Sequence, residues 1–321
     1  MTRAEPHPPS SPRPHTAPAL SIVVPAFDEA ENMRELFAEL ASTIRDHRLD
    51  AEVVLVDDGS TDDTLEAARA AAGAADLDAV TLLRHRRNRG KTEALLTASG
   101  AARGGVLVLF DADLQHSPEE IPRFLAKLDE GYDVVTGRKR GRYEKPLVSG
   151  IYNWICRRLF GVPVHDLNAM KAFRRGILDE LHLRSDWHRY LVVLAHARGY
   201  RVAEIDIRLH PRRHGVSKYG GHGRILVGIL DLLAVWFQLA FSRKPMVFFG
   251  LTGIALLVLG ALTGIVALYL RFGLGQGYRP LLTLVLLLIV AGLLLFAVGF
   301  LAELIASLRS EVDELRRERR G

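Results

Sequence analysis

Residues 106–113 read VLVLFDAD, a run of five apolar residues that leads directly into two aspartates separated by one residue. A short, continuous apolar run is typical of a strand buried on both faces of a parallel sheet. Three more such runs precede it along the chain, at residues 20–24, 53–56 and 80–83. Stretches of helical length separate and follow these runs, at residues 30–45, 62–72, 91–102 and 118–129. The alternation predicts an α/β, Rossmann-like fold with a mainly parallel sheet and flanking helices.

Acidic residues gather where three of the predicted strands end. The first strand is followed by PAFDE at residues 25–29, the second by DDGST at 57–61 and the fourth by DADLQ at 111–115. Parallel strands present their carboxyl ends at one edge of the sheet, and ligands bind there. Helix N-capping could account for Ser60 or Thr61, but it does not account for two pairs of neighbouring aspartates.

The paired aspartates indicate a bound cation. Carboxylates this close raise each other's pKa values unless a cation or a donor network joins them. An Asp-x-Asp after a strand suits Mg²⁺ or Mn²⁺ shared with a diphosphate, because such a cation takes few carboxylates and completes its shell with phosphate oxygens and water. Asp111 and Asp113 are therefore the predicted metal ligands, and the metal would stabilise a departing diphosphate.

Other nucleotide-binding classes fit this sequence poorly. The first strand-to-helix turn has no Gly-x-Gly-x-x-Gly, and Asp28 and Glu29 would place negative charge where a dinucleotide's pyrophosphate rests. Gly90-Lys91-Thr92 lacks the upstream glycine of a phosphate-binding loop. No nucleic-acid partner is expected, because the basic residues cluster beside the apolar C-terminal segments and no aromatic stacking platform accompanies them.

The composition becomes strongly apolar near the C-terminus. Residues 246–270 and 281–302 carry no charged side chain, and each stretch exceeds the roughly 20 residues that span a bilayer. We expect two transmembrane helices, 245–270 and 281–303, that form a hairpin. Basic residues flank the two spans on their outer sides, at Arg243, Lys244, Arg309, Arg316, Arg317, Arg319 and Arg320, whereas the link carries only Arg271 and Arg279. The positive-inside rule then places both termini and the α/β domain in the cytoplasm, at the cell membrane.

The remaining segments complete the predicted organisation. Residues 1–18, rich in Pro, Ser and His, are expected to be a disordered leader that precedes an α/β domain at 19–222. Residues 223–244 are expected to form an amphipathic interfacial helix. Residues 304–321 are expected to form a basic cytoplasmic helical tail. Its apolar residues recur at helical spacing and could pair with the same helix of a second subunit, which would form a homo-oligomer.

Four motifs, in this order, resemble glycosyltransferase family 2, which has the GT-A fold: PAFDE at 25–29, VDDGSTD at 56–62, NRGK at 88–91 and DADLQ at 111–115. The downstream motifs TGRKR at 136–140, KAFRR at 171–175, HRY at 188–190 and PRRHGVSKY at 211–219 resemble the dolichyl- and polyprenyl-phosphate sugar synthases. The similarity covers residues 20–220. It implies inverting transfer of a hexose-type sugar from a UDP- or GDP-linked donor to polyprenyl phosphate at the cytoplasmic membrane face.

The resemblance also implies a role for each matching residue. The residues that the resemblance implies for nucleotide-sugar binding are Pro25, Phe27, Glu29, Asp57, Asp58, Lys91, Ala112 and Arg138. Of these, Asp57 or Asp58 would recognise the base. Catalysis falls to Asp111, Asp113, Gln115 and Asp166, with Asp166 orienting the acceptor or the sugar. Phosphate binding on the acceptor side falls to Arg138, Arg212, Ser217 and Lys218. The chemistry of the last group agrees, because guanidinium groups bind phosphates bidentately and lysine adds a point charge.

The sequence departs from the family pattern at residues 166–173, which read DLNAMKAF and lack the usual glycine. This variation leaves the acceptor-side pocket and the identity of the sugar open. A processive polysaccharide synthase is disfavoured, since no Gln-x-x-Arg-Trp motif is present. Two alternatives stay open: a family 2 transferase that uses another membrane glycolipid or glycan acceptor, and a non-catalytic membrane scaffold. A flippase or a second transferase is the expected downstream partner.

Overall fold

The computed structural model describes residues 18–77, 79–140, 157–167, 169–181, 183–184, 186–213, 232–237, 239 and 245–318. The chain divides into two compact units at Gly220/Gly221. The first unit contains the sheet, and the second contains two long helices.

A seven-stranded sheet in the order β3-β2-β1-β4-β6-β5-β7 forms the centre of the first unit. Its strands are β1 (Leu20–Ala26), β2 (Ala51–Asp57), β3 (Val80–Arg84), β4 (Val106–Leu109), β5 (Val134–Arg140), β6 (Lys171–Arg174) and β7 (Val202–Arg208). Only β6 runs antiparallel to its neighbours β4 and β5, so six of the seven described strands share one direction. The predicted α/β fold with a mainly parallel sheet is confirmed.

The central strands are buried on both faces, as their apolar sequences predict. Ile22, Val23 and Val24 in β1 have no exposed surface, and neither does the middle of β2. The four predicted strands are all present, whereas no strand was predicted after residue 110. The three later strands are short or end in charged residues, as in VVTGRKR of β5, so their sequences do not form continuous apolar runs.

Helices cover the sheet on both faces. They are α1 (Ala30–Asp46), α2 (Thr64–Ala74), α3 (Lys91–Ala101), α4 (Ile121–Asp129), α5 (Gly176–Glu180) and α6 (Leu191–Ala197). The predicted helix at 118–129 begins with a 3₁₀ turn, Pro118–Glu120, and the Ser117 hydroxyl accepts the Glu119 amide at its start. Helix α2 begins two residues later than predicted, because the Asp62 carboxylate accepts the Thr64 amide at 3.0 Å.

The second unit contains α7 (Pro245–Phe272) and α8 (Arg279–Glu318). Both helices are long and apolar enough to cross a membrane. They pack through glycines: a Cβ atom on Gly253 would lie 2.7 Å from the Gly292 carbonyl oxygen. The predicted span 281–303 and residues 304–318 of the predicted tail share the single helix α8. Residues 1–17 of the predicted leader and most of the predicted interfacial helix lie outside the described residues. Within the latter, residues 232–237 are helical.

Candidate active site

The Asp-x-Asp pair lies just beyond β4 and is in contact with two basic side chains. Lys91, the first residue of α3, forms an ion pair with Asp111. Arg212, which follows β7, donates a hydrogen bond to Asp113 over 2.8 Å and lies 3.7 Å from Glu29. The structure therefore brings together residues from four separate segments of the chain at the predicted edge of the sheet.

The backbone of this acidic loop has an unusual conformation. Leu114 adopts a left-handed φ of 56°, which is uncommon for a residue other than glycine and costs free energy. The turn is held by the Gln115 amide, which donates to Asp113 Oδ1 over 3.2 Å. The Gln115 carbonyl accepts the His210 amide at 2.9 Å, so the segment that carries Arg212 is attached directly to the loop.

The two aspartates differ in their pKa values. Burial opposes ionisation of Asp111, but the charge of Lys91 and the groups around it outweigh this effect and hold its pKa well below the usual range. Burial raises the pKa of Asp113, and the neighbouring Asp111 charge raises it further, with Arg212 opposing the rise. An added cation would relieve this repulsion, since opposite charge favours the ionised form.

The donor set at this position fits a divalent cation that is shared with a substrate. Among the described residues, no cluster of three or more His, Cys, Asp or Glu side chains could hold a metal by itself. Asp111 and Asp113 supply two neighbouring carboxylates, which are now paired with the nitrogens of Lys91 and Arg212. Mg²⁺ and Mn²⁺ accept such a limited set when phosphate oxygens and water complete the shell. Asp111 and Asp113 would hold the ion.

Asp57 is the last residue of β2 and Asp58 follows it, and their carboxylates have different surroundings. The Asp58 carboxylate accepts the Arg89 and Gly90 amides at 2.9 and 2.8 Å, and it lies 2.6 Å from His85 Nδ1. Asp57 Oδ1 accepts the Ser60 amide at 2.9 Å. Its buried Oδ2 has no hydrogen bond of good geometry to a described residue, but it forms an ion pair with Arg84. Asp57 therefore has fewer hydrogen bonds than Asp58, whose carboxylate anchors the start of α3.

A cavity of about 400 Å³ lies beside these aspartates. It is lined by Gly59, Ser60, Arg84, His85 and Arg86. Arg84 Nε lies 3.2 Å from Asp57 Oδ2. The cavity is therefore lined largely by basic side chains, which suit the phosphates of a nucleotide.

The loop after β1 is tied to the loop after β2. The Asp28 amide donates to Ser60 Oγ over 2.9 Å, and the Glu29 amide donates to Thr64 Oγ1 over 2.8 Å. Pro25 and Phe27 are half-buried in this region, and Ala112 is buried beside the acidic loop. Glu29 itself contacts Arg212 and Asn32, so its carboxylate belongs to the ionic cluster of the site.

Three buried basic residues near the site were given no role from the sequence. Burial, reinforced by Lys91, lowers the pKa of Lys171 to about 7. Burial lowers the pKa of His116 to about 4, and its Nδ1 has no hydrogen bond to a described residue. Burial and Lys91 also lower the pKa of His188, which contacts Thr92 Oγ1. No local sequence signal indicated Lys171, because β6 is a short strand without a continuous apolar run and the fold alone places it beside β4.

The other predicted phosphate-binding residues are not all near the acidic pair. Arg138 lies on β5, 4.0 Å from Asp206, and no ion pair joins it to Asp111 or Asp113 within the described chain. Arg213, the neighbour of Arg212 to which no role was assigned, forms ion pairs with Glu35 and Glu39 on α1. Asp166 precedes β6, and its charge opposes the lowering of the Lys171 pKa. Ser217 and Lys218 lie outside the described residues.

Residues 21–181 match Glycosyl transferase family 2. The chain is 35% identical over 300 residues to dodecaprenyl-phosphate galacturonate synthase of Rhizobium johnstonii, covering 89% of this chain and 87% of that protein. It is 30% identical over 270 residues to undecaprenyl-phosphate 4-deoxy-4-formamido-L-arabinose transferase of Pseudomonas fluorescens, covering 83% and 77%.

Solved structures share the fold. Glucosyl-3-phosphoglycerate synthase from Mycobacterium tuberculosis, in complex with Mg²⁺ and UDP, superposes with a TM-score of 0.55 at 22% identity, covering 68% of this chain and 80% of that one. The same enzyme with Mn²⁺, UDP and phosphoglyceric acid gives a TM-score of 0.54 at 22% identity, covering 67% and 78%. From its family match and its relatives, the chain belongs to glycosyl transferase family 2 and is a glycosyltransferase.

Proposed function

We propose that this protein transfers a sugar from a nucleotide-sugar to polyprenyl phosphate at the cytoplasmic face of the membrane, with inversion at the anomeric carbon. The observation that carries the proposal is the cluster of Asp111 and Asp113 with Lys91 and Arg212 beyond β4. It combines ligands for a divalent cation with basic groups that bind phosphate. The names of the two relatives support a polyprenyl phosphate acceptor.

On the donor side, the cavity beside Asp57 accommodates the nucleoside, and Asp57 Oδ2 exchanges its ion pair with Arg84 for a hydrogen bond from the base. Pro25 and Phe27 line this region. A divalent cation on Asp111 and Asp113, when bound, neutralises charge that develops on the departing nucleoside diphosphate. Arg212 and Lys91 bind phosphate oxygens, because their present carboxylate partners are the groups that the cation would take.

The reaction exchanges one bond at the anomeric carbon for another. The bond from this carbon to the donor diphosphate breaks, and a phosphate oxygen of the acceptor forms a new bond on the opposite face. A phosphate monoester is mostly dianionic near pH 7, because its second pKa is about 6. The acceptor therefore attacks without giving up a proton to the enzyme. Asp166 orients the acceptor or the sugar. The phosphate of the acceptor is bound by Arg138, Arg212, Ser217 and Lys218.

The two apolar helices suit a lipid-linked acceptor. Helices α7 and α8 anchor the protein in the bilayer, where the polyprenyl chain resides. The basic residues that flank the pair favour cytoplasmic termini, because they outnumber Arg271 and Arg279, the two basic residues of the link. The product forms inside, so a flippase or a second transferase would consume it. The apolar stripe at 304–315 offers a surface for a homo-oligomer.

The test is transfer of radiolabelled sugar from a panel of UDP- and GDP-sugars to polyprenyl phosphate, using the full-length protein in detergent. The expected result is label in an organic-extractable, acid-labile lipid that appears with Mg²⁺ or Mn²⁺ and disappears with EDTA. Label in another membrane glycolipid would show that this glycolipid, and not polyprenyl phosphate, is the acceptor. Absence of transfer from every donor, with the folded protein, would contradict the proposal.

A further inference from the structure

The segment that carries Asp166 is held in place by polar contacts. Residues 157–167 described before β6 contain no strand near Asp166, so no ladder of backbone hydrogen bonds fixes its position. A loop residue that must orient a substrate needs other anchors, since a displacement of about 1 Å in an active site can cost about 100-fold in rate. The contacts that supply these anchors come from three strands.

Glu204 on β7 provides the main contact. Its Oε1 accepts two backbone amides, those of His165 at 2.5 Å and of Asp166 at 3.0 Å. Its Oε2 lies 2.7 Å from His165 Nδ1. The Glu204 side chain is only 11% exposed. A carboxylate buried to this degree is costly unless hydrogen bonds satisfy it, and here the loop backbone provides them.

Thr136 on β5 holds the other side of the same residue. Its hydroxyl donates to the Asp166 carbonyl oxygen over 3.3 Å. Thr136 and Glu204 are partners in the parallel β5–β7 pair, so their side chains leave the same face of the sheet at neighbouring positions. Two in-register side chains therefore contact both the amide and the carbonyl group of Asp166.

The far end of the loop is held as well. The Gly137 amide donates to the Met170 carbonyl over 2.9 Å, and Lys171 Nζ donates to the Ala169 carbonyl over 2.8 Å. Since both ends are fixed to the sheet, a change at Glu204 moves the Asp166 end of the loop and not the whole segment.

We infer that Glu204 is a positioning residue, which sets the place of the Asp166 carboxylate through the backbone of residues 165–166. The inference rests on the proposed function, because it requires Asp166 to act on the acceptor or the sugar. Glu204 itself touches no substrate. Its loss lowers the rate of transfer but leaves the nucleoside cavity beside Asp57 unchanged.

Glu204→Gln tests this inference in the full-length protein. The amide keeps the shape of the side chain but presents an NH₂ group where an acceptor is needed. The expected result is a kcat about 10- to 100-fold lower, with the donor KM within about 2-fold of wild type. Thr136→Val, which removes only the hydroxyl contact, should lower kcat by a smaller factor.

A double-mutant cycle separates positioning from a general loss of stability. Asp166→Asn should lower kcat, and adding Glu204→Gln to it should lower kcat no further. Glu52→Gln is the matched control: this buried carboxylate accepts the Arg103 amide and the Ser21 hydroxyl near the opposite edge of the sheet. Its kcat should equal that of wild type even if its melting temperature falls.

Three outcomes would overturn the inference: an unchanged kcat in Glu204→Gln, an unchanged kcat in Asp166→Asn, or effects that multiply fully in the double variant. Failure of the proposed function looks different, because the wild-type protein would then not label polyprenyl phosphate. If it labels another acceptor, the cycle is measured on that acceptor, and the same lack of additivity is required.

Discussion

Replacing Asp58 with Asn should destabilise the protein, although the family resemblance implies a role for this residue in nucleotide-sugar binding. The Asp58 side chain is 5% exposed and is in contact with three groups, His85 Nδ1 and the amides of Arg89 and Gly90. Both of its oxygens are engaged. An asparagine offers one acceptor oxygen, and its NH₂ group would face at least one of the two backbone amides.

The expected loss follows from these contacts. A hydrogen bond to a charged group contributes about 1.5–3 kcal/mol, and a buried donor left unsatisfied costs about 1–3 kcal/mol. Losing one such bond in Asp58→Asn should therefore lower the free energy of unfolding by about 2–4 kcal/mol. For a domain of this size, that corresponds to a fall in melting temperature of about 5–15 °C. The donor KM should also rise, because the start of α3 and Lys91 lose their anchor.

The assay is thermal unfolding of the full-length protein in detergent, followed by tryptophan fluorescence, together with donor kinetics. Asp63→Asn is the control, because Asp63 precedes α2 without a side-chain capping bond and Asn serves equally well there. Asp57→Asn is the informative comparison, since its Ser60 contact can persist and its Arg84 partner is half-exposed. It should raise the donor KM with a small loss of stability. Asp58→Asn melting within 2 °C of wild type would refute this reasoning.

Asp113→Asn should lower kcat at least about 100-fold, equivalent to about 2.7 kcal/mol of activation free energy. The melting temperature should change little, because the raised pKa of Asp113 shows that its charge is unfavourable in the folded protein. Retained activity would contradict the metal assignment. Burial lowers the pKa of Lys171 to about 7, so the unfolded chain binds this proton more tightly than the folded protein. The stability of the wild-type protein should therefore rise with pH above 7, whereas Lys171→Met should show no such gain. The prediction is wrong if the melting temperatures of the two proteins change in parallel from pH 6 to 9. Gly253→Ala should destabilise the helix pair by about 1–3 kcal/mol, since its Cβ would lie 2.7 Å from a backbone oxygen, whereas Gly264→Ala, with 3.6 Å to Val285, should be neutral; equal melting temperatures would count against this packing.

Local patterns predicted the first half of the fold because its signals lie within short windows. Four apolar runs became β1 to β4, and DADLQ was placed beyond the fourth strand by the rule that ligands meet the carboxyl ends. The later strands were not predicted. Strand β6 contains Lys171, a residue type that rarely enters a core, and only its antiparallel insertion between β4 and β5 explains the burial.

The candidate site was predictable in composition but not in its connections. The sequence indicated Asp111, Asp113 and Arg212, yet the contact between Arg212 and Asp113 joins residues 99 positions apart. It also left Asp57 and Asp58 equivalent. Their difference depends on where the segment 85–90 returns to the sheet, which brings His85 and two amides to Asp58.

The sequence by itself therefore determined the class of fold, the acidic edge of the sheet, the two apolar helices and the family. Each of these depends on spacing along the chain, which is set by the periodicity of strands and helices. The tertiary structure alone decided which carboxylate anchors α3, which basic residues contact the acidic pair and that Glu204 holds the Asp166 loop. These contacts arise between distant segments, and their partners are selected by sheet order and by the need to satisfy buried polar groups.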